Sequence, residues 1–381
     1  MTLRRLLQKL PFFPWLLACL HFWVMLRAHS HACPVVWISP SGGGVGSAAD
    51  LRALAIGKTL GRLGWCCVTL HPRLGQQARR ILLRLFKPDV VLLQQTRHPL
   101  NRPEIYFPVP CVLDVDDADI INPSETSRIG DVAARCYGVV AGSRHLAGLF
   151  RAFNPAVRVI WTGTYIHSVA SARPNAERGR ILAWAPSDPF GYPVELALMQ
   201  TLVARLSTSA EVEFRVYGVS PARHDDMHKL WEGRSSHVRL RLMPPMPYKE
   251  FVASLAEVAV GLQPVCEDHE YSLGKSFGKA LAYLAADVAV VASNNIDHPL
   301  FFEEGVNGRL LLNEPTVWAQ ACDQLLSRIQ ERQGLVLQAR KDFLARLTTD
   351  KSAQLMSDLL HRARLGQAWP RGLAKSKDYS E

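Results

Sequence analysis

A short segment in the second half of the chain carries the residue types that bind phosphate. Gly274, Lys275 and Ser276 lie where a loop after an apolar run leads into a predicted helix, 276–286, and Lys279 lies one helical turn further on. Backbone N–H groups at a helix N-terminus, together with two lysines and a hydroxyl, suit a diphosphate. The segment is not a P-loop, because His269 occupies the position where that motif needs a glycine. The alternative is that both lysines lie on a solvated helix face.

Three carboxylates lie at the end of another apolar run, PCVLDVDD. Alternation along a strand directs Asp114 and Asp116 to one face and Asp117 to the other. Ligands bind beyond the carboxyl ends of the strands in doubly wound sheets, so these groups could orient a ligand, act as a base or hold a metal ion. The alternative is helix N-capping, which Asp119 or Asn122 could serve instead.

Four glycines follow the first apolar run, in the segment SGGGVGS at positions 41–47. Between a strand and a helix, glycines let backbone N–H groups approach an anion closely. The segment matches neither a Walker loop nor the pattern GxGxxG. Because four glycines exceed the need of a turn, we predict a ligand-facing loop around Gly43 and Gly44, with a flexible turn as the alternative.

Short, nearly continuous apolar runs alternate with helical patterns along most of the chain, which predicts parallel sheets covered on both faces. A polar segment, Tyr165–Gly179, interrupts this alternation, which then restarts. We therefore predict an α/β fold with two doubly wound, Rossmann-like domains that face each other across a cleft. The predicted parts are an N-terminal segment (1–33), a first domain (34–170), a second domain (180–350), a terminal helix (351–365) and a polar tail (366–381).

The net charge of +10 favours anionic partners such as phosphate-bearing ligands or anionic lipid headgroups. The sequence contains no zinc-finger spacing, basic–aromatic run or recognition-helix pattern, so we expect no nucleic-acid partner. It also offers no convincing metal site. The eight cysteines are scattered and include no CxxC pair, and we expect all of them to be thiols in a reducing compartment.

The N-terminus combines a basic start with an apolar run, Phe12–Leu26. A membrane-spanning helix needs about 20 apolar residues, and this run is shorter. No clear small-residue cleavage site follows that would mark a signal peptide. Two alternatives remain: a helix that lies in the membrane interface, or an extension that packs on the first domain. We expect a cytoplasmic protein, attached in the first case to the inner face of the membrane.

The order of motifs resembles that of the retaining GT-B glycosyltransferases, and the chain is similar to the bacterial family 4 enzymes of polysaccharide synthesis over about residues 34–365. In the first half, DVDDADI and VVAGSRHLAGLF resemble family segments, and RILAWAPSDPF resembles the opening strand of the donor domain. In the second half, the matching positions are Pro264, Lys275, Ser276, Lys279, Tyr283, Ala285, Val290–Ser293, Gly305, Asn307 and Gly308.

The resemblance implies the GT-B fold and the transfer of a sugar, with retention, from a nucleotide-diphosphate sugar to a glycan or lipid-linked acceptor in cell-surface polysaccharide synthesis. It implies no metal and no cofactor beyond the co-substrate. The implied roles are donor binding by Gly274, Lys275, Ser276 and Lys279, catalysis by Asp116 at the donor sugar, contact with the sugar and acceptor by Gly43 and Gly44, and a place at the cleft entrance for Ser143 and Arg144.

The chain departs from the family at the glutamate that holds the donor ribose. Relatives usually keep a pair of glutamates, and the corresponding positions here are Gly274 and Ala282. A charged hydrogen bond contributes about 1.5–3 kcal/mol, so its loss could be tolerated. Glu267, Asp268 or Glu270 in the preceding loop could supply a carboxylate instead, and we include Glu270 among the donor-binding candidates.

Two other functions remain open. The missing glutamate favours a catalytically inactive GT-B protein that binds a glycan or a partner enzyme. A nucleotide-sugar epimerase of the same fold would need acid and base groups across the cleft, for which His98 and Asp116 are available. The order of the C-terminal motifs favours a transferase over an epimerase.

Overall fold

The computed structural model describes residues 13–30, 32–41, 47–165, 173–207 and 210–369. These residues form two compact units. Unit 1 contains the described residues up to Thr162 and those from Thr349 to Trp369, and unit 2 contains the described residues from Gly163 to Thr348.

Unit 1 is built on a parallel six-stranded sheet with the strand order β2-β1-β3-β4-β5-β6. Its strands are β1 (Val35–Ser39), β2 (Cys66–Thr69), β3 (Val90–Gln94), β4 (Cys111–Val115), β5 (Gly138–Ala141) and β6 (Val157–Val159). Its first helices are α1 (Phe13–His29), α2 (Ser47–Ala49, the π-helical Asp50–Leu54 and Ala55–Arg62), α3 (Gln76–Phe86), α4 (Pro123–Arg135) and α5 (Arg144–Phe150).

Unit 2 has a second parallel six-stranded sheet, in the order β12-β11-β10-β7-β8-β9. Its strands are β7 (Ile181–Trp184), β8 (Val212–Tyr217), β9 (Val238–Met243), β10 (Val260–Gln263), β11 (Ala289–Ser293) and β12 (Arg309–Leu311). Its helices are α6 (Pro193–Ala204), α7 (His224–Trp231), α8 (Tyr248–Ser254), α9 (Glu270–Leu273), α10 (Ala280–Ala285), α11 (Pro315–Ser327) and α12 (Ile329–Arg346).

The strand order reverses once in each sheet, between β1 and β3 in unit 1 and between β7 and β10 in unit 2. Doubly wound sheets bind ligands beyond the carboxyl ends of the strands at such a reversal. The prediction of two doubly wound halves is therefore confirmed. Ligand-binding groups are expected at the carboxyl ends of the four strands that flank the reversals, β1, β3, β7 and β10.

The terminal helix α13 (Thr349–Arg364) belongs to unit 1, although it follows unit 2 in the chain. Its buried Met356 and Leu360 join the core that β1 and β3 share. Trp65, which precedes β2, donates from Nε1 to Ser357 Oγ at 2.9 Å. Burial of each such apolar side chain stabilises the unit by roughly 1.5–3 kcal/mol, so α13 forms part of its core.

The N-terminal apolar run forms α1, which packs on α3 with the rings of Phe22 and Phe86 5.3 Å apart. Within the described residues, no helix combines the length and apolar character that crossing a membrane requires. Residues 1–12 of the predicted N-terminal segment and 370–381 of the predicted tail lie outside the described residues.

Two predictions on local structure are wrong. The helix predicted to begin at Ser276 begins at Ala280, because Gly278 adopts the left-handed region with φ +50° and interrupts it. Cys33 and Cys66 form a disulfide and are not free thiols. The pairing of β1 with β2 sets Cys66 opposite Val35 and brings the Cα atoms of the two cysteines within 6.0 Å.

Candidate functional site

The phosphate-binding candidates lie in the connection that leaves the carboxyl end of β10, beside the strand-order reversal of unit 2. Gln263 ends β10, and its Oε1 accepts hydrogen bonds from the backbone N–H groups of Lys279 at 2.9 Å and Ala280 at 3.2 Å. Gly278 lies against the Gln263 side chain, and its φ of +50° is a left-handed conformation that favours glycine. Because Gln263 caps α10, these two N–H groups are already hydrogen-bonded and are not available to a diphosphate. The sequence had led us to expect that the N–H groups at this helix N-terminus would bind one.

Lys275 and Lys279 are half-buried cations that lie against aromatic rings. The Nζ atom of Lys275 lies 4.9 Å from the ring centroid of Tyr271, and Nζ of Lys279 lies 5.2 Å from that of Phe251. A cation within about 6 Å of an aromatic face is attracted to it, while its N–H groups remain able to donate to other atoms. The rings therefore restrict the positions of both ammonium groups.

Three buried side-chain atoms near the carboxyl ends of β10 and β11 have no hydrogen-bond partner in the described part of the chain: Ser276 Oγ, Asn295 Oδ1 and His298 Nε2. Buried polar atoms are nearly always paired in native proteins, so a group of unpaired ones requires an explanation. A bound ligand or water at this edge would provide one, since the group offers both a hydroxyl donor and acceptors.

His298 is a neutral histidine with a defined tautomer. Its Nδ1 lies 2.8 Å from the backbone oxygen of Ser293 and must donate to it, which leaves a lone pair on Nε2. Burial lowers the pKa of His298 to about 4. The ring lies 6.1 Å from that of Phe277, the residue after Ser276, so His298 supports the connection that carries the lysines.

Glu195, in the first turn of α6, holds the beginning of this connection, and the sequence did not reveal it. Its buried carboxylate accepts a hydrogen bond from the backbone N–H of Cys266 at 3.1 Å and lies 3.0 Å from His269 Nδ1. Ser272 Oγ lies 2.9 Å from the same nitrogen. A glutamate in the first turn of a helix is an ordinary sequence signal, and only its burial reveals this positioning role.

The remaining donor candidates occupy different environments. Glu270 is the first residue of α9 and is exposed, and the buried Gly274 follows the helix as its C-cap. Ala282 is 1% exposed in the interior of α10, so the position where relatives carry a ribose-binding glutamate faces the core of unit 2. Tyr283, another matching position, donates to the Ala183 carbonyl at 3.1 Å and has a structural role.

In unit 1, the carboxyl end of β4 brings Asp116 close to the loop that begins α5. Gln95 Nε2 donates to Asp116 Oδ1 at 2.6 Å. A Cβ atom at Gly142 would lie 3.1 Å from Asp116 Cα, so the two backbones are in contact. Ser143 is fully buried and caps α5 by accepting from the Leu146 N–H at 3.2 Å, and Arg144 is half-buried as the first residue of that helix.

The other carboxylates of this segment pair with arginines. Asp114 is fully buried and binds Arg52, with 2.9 Å between Nε and Oδ2. Arg52 lies in the π-helical turn of α2, and its Nη1 also donates to the Ile160 carbonyl at 3.0 Å. Asp117 and Asp119 both pair with Arg97. Asp114 therefore belongs to a buried ion pair, whereas Asp116, predicted for the same face of the strand, accepts a hydrogen bond from Gln95.

Residues 42–46 of the predicted glycine loop lie outside the described residues. Ser41, at its start, donates from its backbone N–H to Gln94 Oε1 at 2.9 Å, which ties the loop to the end of β3. Gly43 and Gly44 lie outside the described residues. In the described ranges, no group of three or more histidine, cysteine, aspartate or glutamate residues is placed to hold a metal ion.

No protein-family model matches the sequence, and no curated protein matches it either. Solved structures do match. HepE from Anabaena in complex with UDP and glucose has a TM-score of 0.64 and 13% identity, covering 86% of this chain and 99% of that chain. A glycosyltransferase from Rickettsia africae has a TM-score of 0.65 and 12% identity, covering 87% and 99%. Sucrose-phosphate synthase from Thermosynechococcus elongatus has a TM-score of 0.64 and 14% identity, covering 88% and 100%.

At 12–14% identity, the similarity to these solved structures shows the fold alone. Coverage of nearly the whole length of each neighbour includes both six-stranded parallel sheets. The predicted GT-B fold, with two Rossmann-like units in one chain, is therefore confirmed.

Proposed function

We propose that this protein is a glycosyltransferase that takes its sugar from a nucleotide-diphosphate sugar bound at the carboxyl edge of the sheet in unit 2. The observation that carries this proposal is a combination of groups after β10 and β11. Two half-buried lysines, Lys275 and Lys279, accompany three buried polar atoms without partners in the described structure. Cations and unpaired hydrogen-bonding groups together suit a polar anion better than they suit a closed core.

The chemistry follows from the charge that develops when the sugar leaves its diphosphate. As the bond between the anomeric carbon and the diphosphate oxygen breaks, the electron pair stays on that oxygen. Lys275 and Lys279 would stabilise this charge, since ammonium groups fixed before the reaction need no rearrangement during it. The acceptor hydroxyl oxygen bonds to the anomeric carbon and releases its proton to a base. Asp116, held by Gln95, is our candidate for that base.

The donor proposed first is a UDP-sugar. HepE has been crystallised with UDP and with UDP-glucose, and a protein of the same fold provides a reasonable starting point. The acceptor in this proposal is a glycan or a lipid-linked glycan of cell-surface polysaccharide synthesis, with retention at the anomeric carbon. Both of these points come from the family resemblance of the sequence, and no cofactor other than the donor is included.

Calorimetric titration of the purified protein with UDP, UDP-glucose and the corresponding ADP and GDP compounds tests the donor site. Lys275→Ala and Lys279→Ala should each weaken binding of the preferred nucleotide about tenfold or more, because a charge-assisted hydrogen bond contributes about 1.5–3 kcal/mol. Lys229→Ala is the matched control, since Lys229 is exposed on α7 of the same unit. Equal affinities in all four proteins would exclude the proposed site.

A second candidate function is a GT-B protein that binds a glycan or a partner enzyme without transferring sugar. The buried Ala282 favours it, because the position where relatives carry a ribose-binding glutamate lacks a carboxylate here. A donor-consumption assay with the preferred nucleotide-sugar and a panel of glycan acceptors separates the two functions. Binding without release of the nucleoside diphosphate would favour the inactive protein, and release that requires an acceptor would establish transfer.

The proposal includes attachment to an anionic membrane surface through α1. This helix exposes large apolar side chains, and its last turn carries Arg27. Exposed apolar patches of this kind mark interaction surfaces, and adjacent basic residues favour an anionic bilayer over an uncharged partner. Leu85 of α3, on which α1 packs, is also exposed and follows Arg84. The exposed side chains of α1 are Leu16, Leu20, Phe22, Trp23, Val24 and Leu26.

Flotation with vesicles of phosphatidylglycerol and phosphatidylcholine tests this attachment. Leu20→Ser combined with Trp23→Ser should release most of the bound protein, because these two side chains are 59% and 67% exposed. The matched control is Leu312→Ser with Leu337→Ser, which removes two exposed leucines from unit 2. A loss of flotation that is equal in both double variants would contradict the role of α1.

A further inference from the structure

Unit 1 contains a cavity of about 400 Å³ that the proposed transfer reaction does not use. It lies between α3 and α4, and the crossover from β3 to β4 forms its third wall. None of the candidates at the carboxyl edge, such as Asp116 or Ser143, lines it. Binding sites for small molecules commonly have volumes of about 300–1,000 Å³, so this cavity could accommodate a small ligand.

The topology of unit 1 explains why a cavity forms here. In a doubly wound sheet, a helix normally covers each crossover between neighbouring parallel strands. The crossover from β3 to β4 contains only a 3-10 turn, Pro103–Ile105, among the elements of this region. This short turn fills less space than a helix, and long side chains from α3 and α4 line what remains.

The lining carries an excess of positive charge. Four arginines and two carboxylates contribute to it, so two positive charges exceed the negative ones. The arginines are Arg80, Arg102, Arg128 and Arg135, and the carboxylates are Glu104 and Asp131.

Two of these arginines are already held by protein groups. Arg128 Nε donates to Glu125 at 2.9 Å, and its Nη1 donates to the Thr96 carbonyl at 2.9 Å. Arg135 pairs with Glu104. By contrast, the exposed side chains of Arg80 and Arg102 have neither a hydrogen-bond partner nor a carboxylate partner within the described ranges. The cavity therefore combines two fixed guanidinium groups with two that remain available.

We propose that this cavity binds a phosphoryl group, with Arg80 and Arg102 as its principal ligands and Arg128 as a third, pre-positioned contact. A phosphate monoester carries a charge of about −1.5 to −2 at neutral pH, which matches two guanidinium groups, Arg80 and Arg102, that have no carboxylate partner in the described ranges, whereas a simple carboxylate would need only one. The planar guanidinium group also binds phosphate oxygens in a bidentate manner. The phosphoryl group could come from a soluble phosphate compound or from the headgroup of a lipid, and the chemistry of recognition is the same.

The soluble source is tested with inorganic phosphate in the background Lys275→Ala/Lys279→Ala, which removes the lysines proposed for the donor in unit 2. The thermal midpoint is measured against phosphate concentration at constant ionic strength, with chloride as the reference anion. A ligand that binds only the folded state raises the midpoint, so the dose dependence reports the dissociation constant. Adding Arg80→Gln/Arg102→Gln should raise that constant about tenfold or more.

Lys58→Gln/Arg151→Gln is the matched control. It removes two exposed positive charges from unit 1 outside the cavity. The lipid source is tested by flotation of the same proteins with phosphatidylcholine vesicles that carry phosphatidic acid. A loss in the cavity variant, with the control unchanged, supports the site in either arm and identifies the source. If the cavity variant matches the control in both arms, the proposal is overturned, whatever the result of the nucleotide titration.

Discussion

In unit 1, the aspartate near the end of β4 pairs with an arginine of the same unit, whereas in unit 2 the corresponding edge has polar atoms without partners among the described residues. Asp114 binds Arg52 with both side chains almost completely buried. After β10 and β11, Ser276 Oγ, Asn295 Oδ1 and His298 Nε2 are buried without partners in the described structure. Unit 1 also has two such atoms at its edge, Gln94 Nε2 at the end of β3 and His145 Nε2 in the first turn of α5.

The difference indicates what each edge is built to do. A buried ion pair is costly to break, because removal of one partner leaves a charge in a medium of low polarity. Unpaired buried groups are costly until something binds them, so they favour a ligand over an empty edge. We infer that the polar side chains of β4 mainly hold unit 1 together, and that those after β10 and β11 are available for binding.

The largest expected effect is on the buried pair of unit 1. Asp114→Asn should lower the free energy of unfolding by about 3–5 kcal/mol, because it leaves Arg52 charged and without its carboxylate. Asp117→Asn is the control, since its partner Arg97 is 45% exposed and an exposed pair contributes at most about 1 kcal/mol. Urea unfolding followed by tryptophan fluorescence measures both. Similar midpoints for the two variants would show that the edge of unit 1 is not closed by this pair.

The next effect is on the pH dependence of unit 2. His298 takes up a proton near pH 6.5 in the unfolded chain but only near pH 4 in the folded one, so unfolding becomes easier as the pH falls from 6.5 to 4. The contribution of His298 over this window is about 3 kcal/mol, from about 1.4 kcal/mol for each pKa unit. Stability curves for the wild type and His298→Gln should differ in slope between these pH values. Parallel curves would mean that His298 titrates normally when folded.

Ala282→Glu examines whether the family's ribose-binding position faces a ligand here. The side chain at this position is buried in α10, so a glutamate should destabilise unit 2 by at least about 2 kcal/mol through overpacking and the burial of a carboxyl group. Thermal unfolding and nucleotide titration of the variant provide the measurement. A stable variant that binds nucleotide more tightly would show that position 282 faces the ligand, against the burial observed.

The smallest effect concerns the cap of α10. Gln263→Ala removes the acceptor for the N–H groups of Lys279 and Ala280, which should lower stability by about 1 kcal/mol. Gln77→Ala on the exposed face of α3 is the control. The freed N–H groups would be available to an anion, so phosphate should stabilise Gln263→Ala more than it stabilises Gln77→Ala. Equal stabilisation of the two variants by phosphate would indicate that the end of α10 lies away from the donor.

Sequence patterns were most informative where the evidence is local. The alternation of apolar strands with helices predicted both doubly wound halves, and the positions of Lys275 and Lys279 after β10 followed from the order of the elements. The start of α10 was predicted wrongly, because Gly278 adopts a left-handed conformation and the Gln263 side chain, 16 and 17 positions earlier in the chain, accepts the N–H groups of Lys279 and Ala280. The disulfide was missed because its cysteines, 33 residues apart, meet only when β1 and β2 pair.

The sequence by itself determined the fold class and the carboxyl edge on which the phosphate-binding candidates lie, because periodicity and strand order are properties of neighbouring residues. Only the tertiary structure decided the roles of particular side chains. Arg52 and Asp114 are 62 positions apart, and Glu195 reaches His269 over 74 positions. The arginine cavity likewise joins α3 with α4 across an intervening crossover. Such groups come together only when the sheets assemble, so the spacing of neighbouring residues in the chain does not predict these contacts.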